Sequence, residues 1–355
     1  MSVHSDISND IRSRINNGEF KRGDKIDSLR NLAAQYKTSP EVIRLALDIL
    51  RRDGLIYSVH GKGNFVSENP ISFREVMVIT PLNGHVNQDI VSEFISRFSE
   101  HPECRLIVED IKMGDNQIDY DYIERRSNEL RRIIDDRLAN GKLDAVFFNG
   151  SSRIRLSFLK EYINKVKLFC FYDISQLVEV PCPSVSIDYY HGYYIGLHHL
   201  IDKGCKNLLV IGLPENEQIY SFHDDLLTKT SIAECAEAGV ELTIKHTSEE
   251  AFEYLAAHPE IDGIFSHADS CYIKLMKRFK ELGRVPGKDI ALIGFYNTPW
   301  SEMFDPELSS IEVFAEKIVD EIIMMYFSEP PYKSFVTKIR PRLIERASSA
   351  DFFKK

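Results

Sequence analysis

The sequence predicts an α/β protein built in two parts, a small winged helix-turn-helix followed by a larger body of parallel sheets covered by helices. Three observations predict it. The first seventy residues give three short amphipathic helices and then a hairpin with glycines at its tip. After Glu68-Asn69-Pro70, short apolar runs alternate with amphipathic helical stretches, the pitch of strands joined by helical crossovers. Charge divides at the same place. Residues 1 to 70 hold eleven Lys or Arg and nine Asp or Glu, a net +2, while the rest of the chain holds 33 and 45, a net −12. A weakly positive head on an acidic body suits a protein that meets a polyanion through one end.

In the head, Ile7, Ile11 and Ile15 share one face of a first helix, which Asn17-Gly18 closes. A second helix begins after Asp27 or Ser28, either of which can accept from a free N–H of the first turn, and should bury Leu29, Leu32 and Ala33. A third opens at Ser39-Pro40, a capping hydroxyl followed by a residue with no N–H to satisfy. Its apolar set is read as Val42, Leu45, Ala46, Ile49 and Leu50. Glu41, Arg44, Asp48 and Arg51 then lie opposite, on the face a recognition helix presents to a major groove. Strands near 55–59 and 64–66 flank His60-Gly61-Lys62-Gly63, whose glycines permit a sharp turn and close approach to a phosphate or minor groove.

In the body, strands are expected at 76–80, 105–110, 145–148, 167–172, 208–212, 241–245, 263–266 and 290–295. Helices are expected at 88–99, 122–140, up to 166, 231–238, 249–257 and 273–282. Ligands of open sheets of this kind bind outside the carboxyl ends of the strands.

Composition narrows the class further. At 355 residues with 43% hydrophobic content, the chain can bury cores in more than one lobe. It has no apolar run of the roughly 20 residues needed to span a bilayer, and its opening residues lack the pattern of a signal peptide. A cytoplasmic protein with no membrane partner is expected. Six cysteines are scattered without a C-x-x-C pair, so free, mostly buried thiols are expected rather than disulfides or zinc ligands.

The head resembles the GntR family of bacterial regulators. The likeness runs through Gly23-Asp24-Lys25-Ile26-Asp27-Ser28-Leu29-Arg30, Leu32-Ala33, Val42-Ile43-Arg44-Leu45-Ala46-Leu47, Leu50, Asp53-Gly54-Leu55-Ile56 and Gly61-Lys62-Gly63-Asn64-Phe65-Val66. It implies contacts to double-stranded operator DNA from Ser28, Arg30, Ser39, Glu41, Arg44, His60, Gly61 and Lys62. Two positions depart from the family. Pro40 replaces a base-reading arginine, worth roughly 1–3 kcal/mol of discrimination for guanine, and Asp27 replaces a proline. The operator should therefore differ from the family's usual one. The bland alternative is a winged helix used only for protein contacts, its charges an ordinary solvated face.

From about 73 to 348 the chain resembles the effector domain of LacI-type regulators, itself related to periplasmic sugar-binding proteins. The segments concerned are Val185-Ser-Ile-Asp188, His199-Leu-Ile-Asp-Lys-Gly204, Ile261-Asp-Gly-Ile-Phe-Ser-His-Ala-Asp269, 282–297, 304–311 and Arg340-Pro-Arg-Leu-Ile-Glu-Arg-Ala-Ser348. A GntR-type head on such a body is the arabinose-repressor-like architecture. It implies domains at 1–69 and 70–355, the second a two-lobed, periplasmic-binding-protein-like domain that binds effector and dimerises. One lobe would hold about 73–180 with a returning piece near 311–328, and the other about 185–306 with the C-terminal strand. The effector, a carbohydrate or derivative, would meet Asn83, Phe222, Asp269, Tyr296, Asn297 and Trp300. The alternative roles are a helix cap for Asp269 and packing under its loop for Trp300. Tyr296 replaces the family's aspartate and Leu227 its arginine, which leaves open whether the cleft grips a sugar at all.

Catalysis finds little support. The sequence has no Gly-rich phosphate loop, no G-x-S-x-G and no H-E-x-x-H, and adjacent His198 and His199 on a helix diverge by about 100°. No catalytic residue, cofactor or metal is expected. The reading is a homodimeric, effector-controlled DNA-binding regulator, a repressor by family expectation. The alternative is a cytosolic sugar-processing enzyme or binding protein with a DNA-inactive head.

Overall fold

The structure, a computed structural model, describes residues 3–68, 73–83, 85–111, 120–150, 156–172, 180–212, 222–328 and 336–352. Its Cα packing divides into two compact units. One comprises residues 1–77, 98–107 and 131–144, the other 78–97, 108–130 and 145–355.

The head comprises α1 (Val3–Asn16), α2 (Leu29–Gln35), α3 (Pro40–Arg52) and a hairpin of β1 (Ile56–Val59) and β2 (Gly63–Val66). Ser28 caps α2 by accepting from Asn31 N at 3.2 Å, and Ser39 caps α3 by accepting from Val42 N at 3.4 Å. Ile7, Ile11 and Ile15 meet Leu32, Ala33, Leu50, Leu55 and Val66 in one core. The apolar face of α3 is rotated from the sequence reading. Ile43, Ala46, Leu47 and Leu50 are buried, whereas Leu45 is 40% exposed and Val42 and Ile49 only half-buried. Leu29 is likewise 37% exposed. Two overlapping 3.6-residue stripes were available in Val42-Ile43-Arg44-Leu45-Ala46-Leu47, and packing against α1 selects the one centred on Ile43 and Leu47.

Among the described residues, two six-stranded sheets follow. The first contains β3 (Arg74–Thr80), β4 (Cys104–Asp110), β5 (Leu143–Asn149), β6 (Lys167–Phe171), β7 (Ser184–Ile187) and β13 (Val336–Ile339), in the order β13-β7-β6-β5-β3-β4. The second contains β8 (Asn207–Ile211), β9 (Glu241–Lys245), β10 (Gly263–Ser266), β11 (Ala291–Phe295), β12 (Ser309–Glu312) and β14 (Arg342–Ile344), in the order β14-β12-β11-β10-β8-β9. In the first sheet β5, β6, β7 and β13 pair in parallel, and in the second every neighbour pairs in parallel except β14, which runs antiparallel to β12. The helices are α4 (His85–Ser99), α5 (Tyr120–Ala139), α6 (Tyr189–Asp202), α7 (Phe222–Glu237), α8 (Ser248–Ala257), α9 (Tyr272–Arg278), α10 (Trp300–Met303) and α11 (Ala315–Phe327). The helix expected to run up to 166 is a 3-10 turn, Ser157–Tyr162, and the one expected from 231 starts at Phe222. No helix among the described residues is long and apolar enough to cross a membrane.

The lobe boundary also differs from the expectation. β7, placed by sequence at the start of the second lobe, pairs in parallel with β6 and β13 and so belongs to the first sheet. The chain crosses between sheets after β7, between β12 and α11, and between β13 and β14. α11 packs on β6 and β7, and α6 on β10, β12 and β14. Aromatic rings fill the first lobe, with Phe147 stacked on Phe169 at 5.1 Å and Phe94 and Tyr326 set against it.

In the second lobe two glycines on one face of α6 allow contact closer than any Cβ permits. A methyl at Gly192 would stand 2.8 Å from the Phe295 ring, and one at Gly196 only 2.3 Å from that of Phe265. Gly196→Ala should therefore lower unfolding stability by about 1–3 kcal/mol through overpacking, despite the roughly 1 kcal/mol that alanine gains in helix propensity. Urea unfolding midpoints would reveal it, and unchanged or raised stability would show that the Phe265 ring yields.

Candidate functional site

Two surfaces gather the predicted residues. On the head, Ser28, Arg30, Ser39, Glu41, Arg44, His60, Gly61 and Lys62 are all exposed. Ser28 and Ser39 spend their hydroxyl oxygens on helix caps, which places both at helix N-termini, where free N–H groups favour an anion such as phosphate. Arg44 is paired along its own helix with Glu41 and, at 3.8 Å, with Asp48, which also holds Arg51 at 2.7 Å. These pairs are solvent-exposed and contribute little. Leu45, which the sequence reading had assigned to the core, lies one residue on and is 40% exposed on the same helix. The hairpin turns on Gly61 at φ +71° and Gly63 at φ +107°, closed by a 3.0 Å bond from Lys62 N to Val59 O. That turn projects His60 and Lys62 as the tip.

The second surface lies at the carboxyl ends of the strands, and Asp269 organises it. Its side chain is fully buried. One carboxylate oxygen accepts from Thr298 N at 2.7 Å and Thr298 Oγ1 at 2.9 Å, and the other from Ser310 Oγ at 2.6 Å. Asp269 thus positions the 296–298 turn and has both oxygens engaged within the protein. Gly294 makes room for it, since a Cβ there would lie 2.0 Å from Asp269 Oδ1. Asn297 is similarly engaged, its amide oxygen accepting from Arg346 at 2.9 Å and Ser301 Oγ at 3.2 Å.

The turn leaves Tyr296 at φ +87° and Asn297 at φ +45°, backbone that disfavours non-glycine residues. Tyr296 then meets a group of rings. Its hydroxyl is 3.3 Å from that of Tyr189, which stacks on Phe295 at 5.7 Å, and Tyr193 OH lies 2.6 Å from His267 Nδ1. From the first sheet, Tyr172 follows β6 at φ +51°. Its hydroxyl is buried and has no hydrogen-bond partner among the described residues. Burial pushes this phenol's pKa well above its ordinary value, and Tyr296, Asp89 and Glu316 add to the rise. Trp300 on α10 is 37% exposed and meets His85 of α4 edge-on at 5.6 Å, a contact between the two lobes. Nearby, Asn149 donates to Thr80 Oγ1 and Asn87 Oδ1, both at 3.1 Å.

Asn83 is exposed, and its carbonyl accepts from Asn87 at 2.9 Å. Phe222 begins α7, and its side chain lies outside the described residues, as do those of His223 and Leu227; Tyr220 falls outside them altogether. Sequence reasoning missed Tyr172, Tyr189 and Tyr193. Tyr189 and Tyr193 lie one turn apart on α6, a spacing that could have marked them as one face.

Other residues weighed for chemistry hold structural posts. His198 pairs with Glu234 at 3.0 Å and His199 with Ser349 at 2.9 Å. Among the described residues no cluster of His, Cys, Asp or Glu could hold a metal ion, and all six cysteines are free thiols.

Residues 4–66 match the bacterial regulatory proteins of the gntR family, and residues 197–349 match the periplasmic binding protein-like domain. The chain is a transcriptional regulator with a gntR-family head and a periplasmic binding protein-like body. It is 22% identical to the ribose operon repressor of Halalkalibacterium halodurans over 62% of its own length and 75% of the relative's. With the arabinose metabolism transcriptional repressor of Geobacillus stearothermophilus the identity is 23%, over 57% of this chain and about half, 54%, of the relative. In fold it is similar to a LacI family transcriptional regulator from Arthrobacter sp. FB24 solved in complex with lactose. That likeness has a TM-score of 0.60 at 18% identity and covers 78% of this chain and 99% of the other. The regulator's relatives are regulators rather than enzymes.

Burial raises the Asp269 carboxyl to a pKa of about 6, against the opposing pull of the Ser310 and Thr298 hydrogen bonds. A group whose folded pKa is raised binds protons more tightly in the native state, so its contribution to stability falls as pH rises from about 4 to about 6. The stability advantage of wild type over Asp269→Asn should therefore shrink across that window, by at most about 3 kcal/mol. Denaturant titrations of both proteins at pH 4.5 and 7 measure the difference. A constant or widening gap would mean the carboxylate is stabilised as an anion.

Proposed function

We propose that the regulator is a cytoplasmic homodimeric repressor whose DNA affinity is set by a small hydroxylated molecule, of the carbohydrate class, held between the lobes. The organisation proposed is a DNA-reading domain at 1–69 and an effector and dimerisation domain at 70–355. Two α3 helices would enter successive major grooves of a near-palindromic operator, with His60, Gly61 and Lys62 of each wing at the neighbouring minor groove. Ser28, Arg30 and Ser39 supply phosphate contacts, Glu41 and Leu45 base contacts, and Arg44 a charge on the same face.

The observation that carries the effector reading is the buried Tyr172 hydroxyl at the carboxyl end of a strand, which has no partner among the described residues. Leaving such a group unsatisfied costs about 1–3 kcal/mol, and a ligand oxygen supplies the missing bond. Trp300, 37% exposed, offers a face for stacking on a sugar ring. The names of the relatives, repressors of ribose and arabinose operons, point to the same class. Tyr296 takes part through its hydroxyl, which lies 3.3 Å from that of Tyr189. Asp269 and Asn297 act by shaping the turn, and Asn83 and Phe222 complete the proposed contact set.

Two measurements test the proposal. Arg44→Ala should weaken binding to every duplex and flatten the dependence of log K on log salt by about 0.9, the value for one lost phosphate contact. Loss confined to one sequence would instead assign Arg44 to a base. Tyr172→Phe should leave the ligand-free melting temperature equal or higher, because an unsatisfied hydroxyl is removed, and should shrink the shift produced by stabilising sugars. A variant with the full ligand-induced shift would take Tyr172 out of the site.

A further inference from the structure

The compact unit that contains the head also contains part of the body's first sheet, and a chain of alternating charges runs through it. Asp53 caps the C-terminal end of the recognition helix, its N–H donating to Ile49 O at 2.9 Å, and its side chain is only 3% exposed. One of its oxygens accepts from Arg12 of α1, inside the head. The other accepts from Arg105 of β4, in the body, at 3.1 Å. Arg105 reaches on to Glu75 of β3 at 3.9 Å, and Glu75, 4% exposed, accepts from Arg137 of α5 at 2.6 Å. Lys142 lies half-buried beside the same groups, and Glu75 N donates to Lys142 O at 2.8 Å. Phe73 packs its ring 5.8 Å from the Arg105 guanidinium.

Surface ion pairs contribute little because water competes for both partners. Here both carboxylates are buried, and each has cations on two sides, so removing one cation leaves buried negative charge undercompensated. The end of α3 that carries Asp53 lies about twelve residues, roughly 18 Å along the helix, from Glu41. Ser28, Arg30, Ser39, Arg44 and the wing tip remain exposed while the relay is made.

We propose that Asp53, Arg105 and Glu75 form a docking clamp that fixes the DNA-reading head on the body in one orientation with its DNA face open. The clamp acts at the root of the recognition helix. Any rearrangement of β3, β4 or α5 that separates Arg105 from Asp53 releases the head, and a released head must be reoriented when it binds, which lowers affinity through lost preorganisation. The regulatory consequence rests on the function proposed above, whereas the docking itself does not.

The test substitutes Arg105, which is a body residue 37% exposed and makes no part of the head's own core. Hydrogen exchange of the full chain should show at least a tenfold rise in exchange at residues 9–16 and 50–56 in Arg105→Gln, with 207–211 and 291–295 unchanged. Arg105→Lys, which keeps the charge, should restore part of the protection. Arg137→Gln, one ion further from the head, should give a smaller rise of the same sign. Exchange in the head that stays at the wild-type rate in Arg105→Gln overturns the clamp, as does a uniform rise across the whole chain. This readout needs no DNA, so a protein that binds no duplex would defeat the proposed function while the exchange data still decide the clamp. On an operator bound by wild type, Arg105→Gln should lose about tenfold in affinity with the salt slope unchanged, because no phosphate contact is removed.

Discussion

The turn that follows β11 depends on one buried carboxylate. Asp269, at the end of β10, takes hydrogen bonds from the turn after β11 and from β12, and so ties three neighbouring strands together where they end. Thr298, held by it, sets the left-handed backbone of Tyr296 and Asn297, and Ser310 carries the link onward by accepting from Asn297 N at 3.0 Å. The phenol of Tyr296 then sits against Tyr189, and the ring cluster of Phe295, His267 and Tyr193 packs behind it. An exposed carboxylate could not impose this geometry, because water would compete for each of the three donors.

Beside the same turn, hydroxyl groups on rigid rings meet at the ends of the strands, Tyr296 against Tyr189 and Tyr193 against His267. Rings bring area and little rotamer entropy, and phenols both donate and accept. The two glycines of α6 serve this arrangement as well, since they let the helix that carries Tyr189 and Tyr193 lie directly on the Phe265 and Phe295 rings.

On α3, packing and electrostatics divide the labour. Ile43, Ala46, Leu47 and Leu50 hold the helix in the head, the N-terminal half keeps Arg44 and Leu45 exposed, and the C-terminal cap carries Asp53 into a buried ion network with the body. A single thirteen-residue helix thereby runs from the face proposed to read DNA to the ion network around Asp53.

The head was legible in the sequence because its signals are local: Ser28 and Ser39 cap through side chains acting three residues away, Ile7, Ile11 and Ile15 repeat at helical spacing, and Gly61 and Gly63 occupy torsions that other residues avoid. The alternation of strands and helices in the body was legible for the same reason. Which of two apolar stripes α3 buries, and which sheet receives β7, depended on partners far away in the chain, and so did the role of Asp269. The sequence could place that aspartate at a strand end beside a proposed ligand, but Thr298 and Ser310, 29 and 41 residues on, determine that its oxygens are already engaged. The ion chain through Asp53, Arg105 and Glu75 joins residues up to 52 positions apart and leaves no periodic trace. Caps, turns and amphipathic faces are determined by neighbours within a few residues, whereas burial of a charge is determined by whatever the fold brings around it.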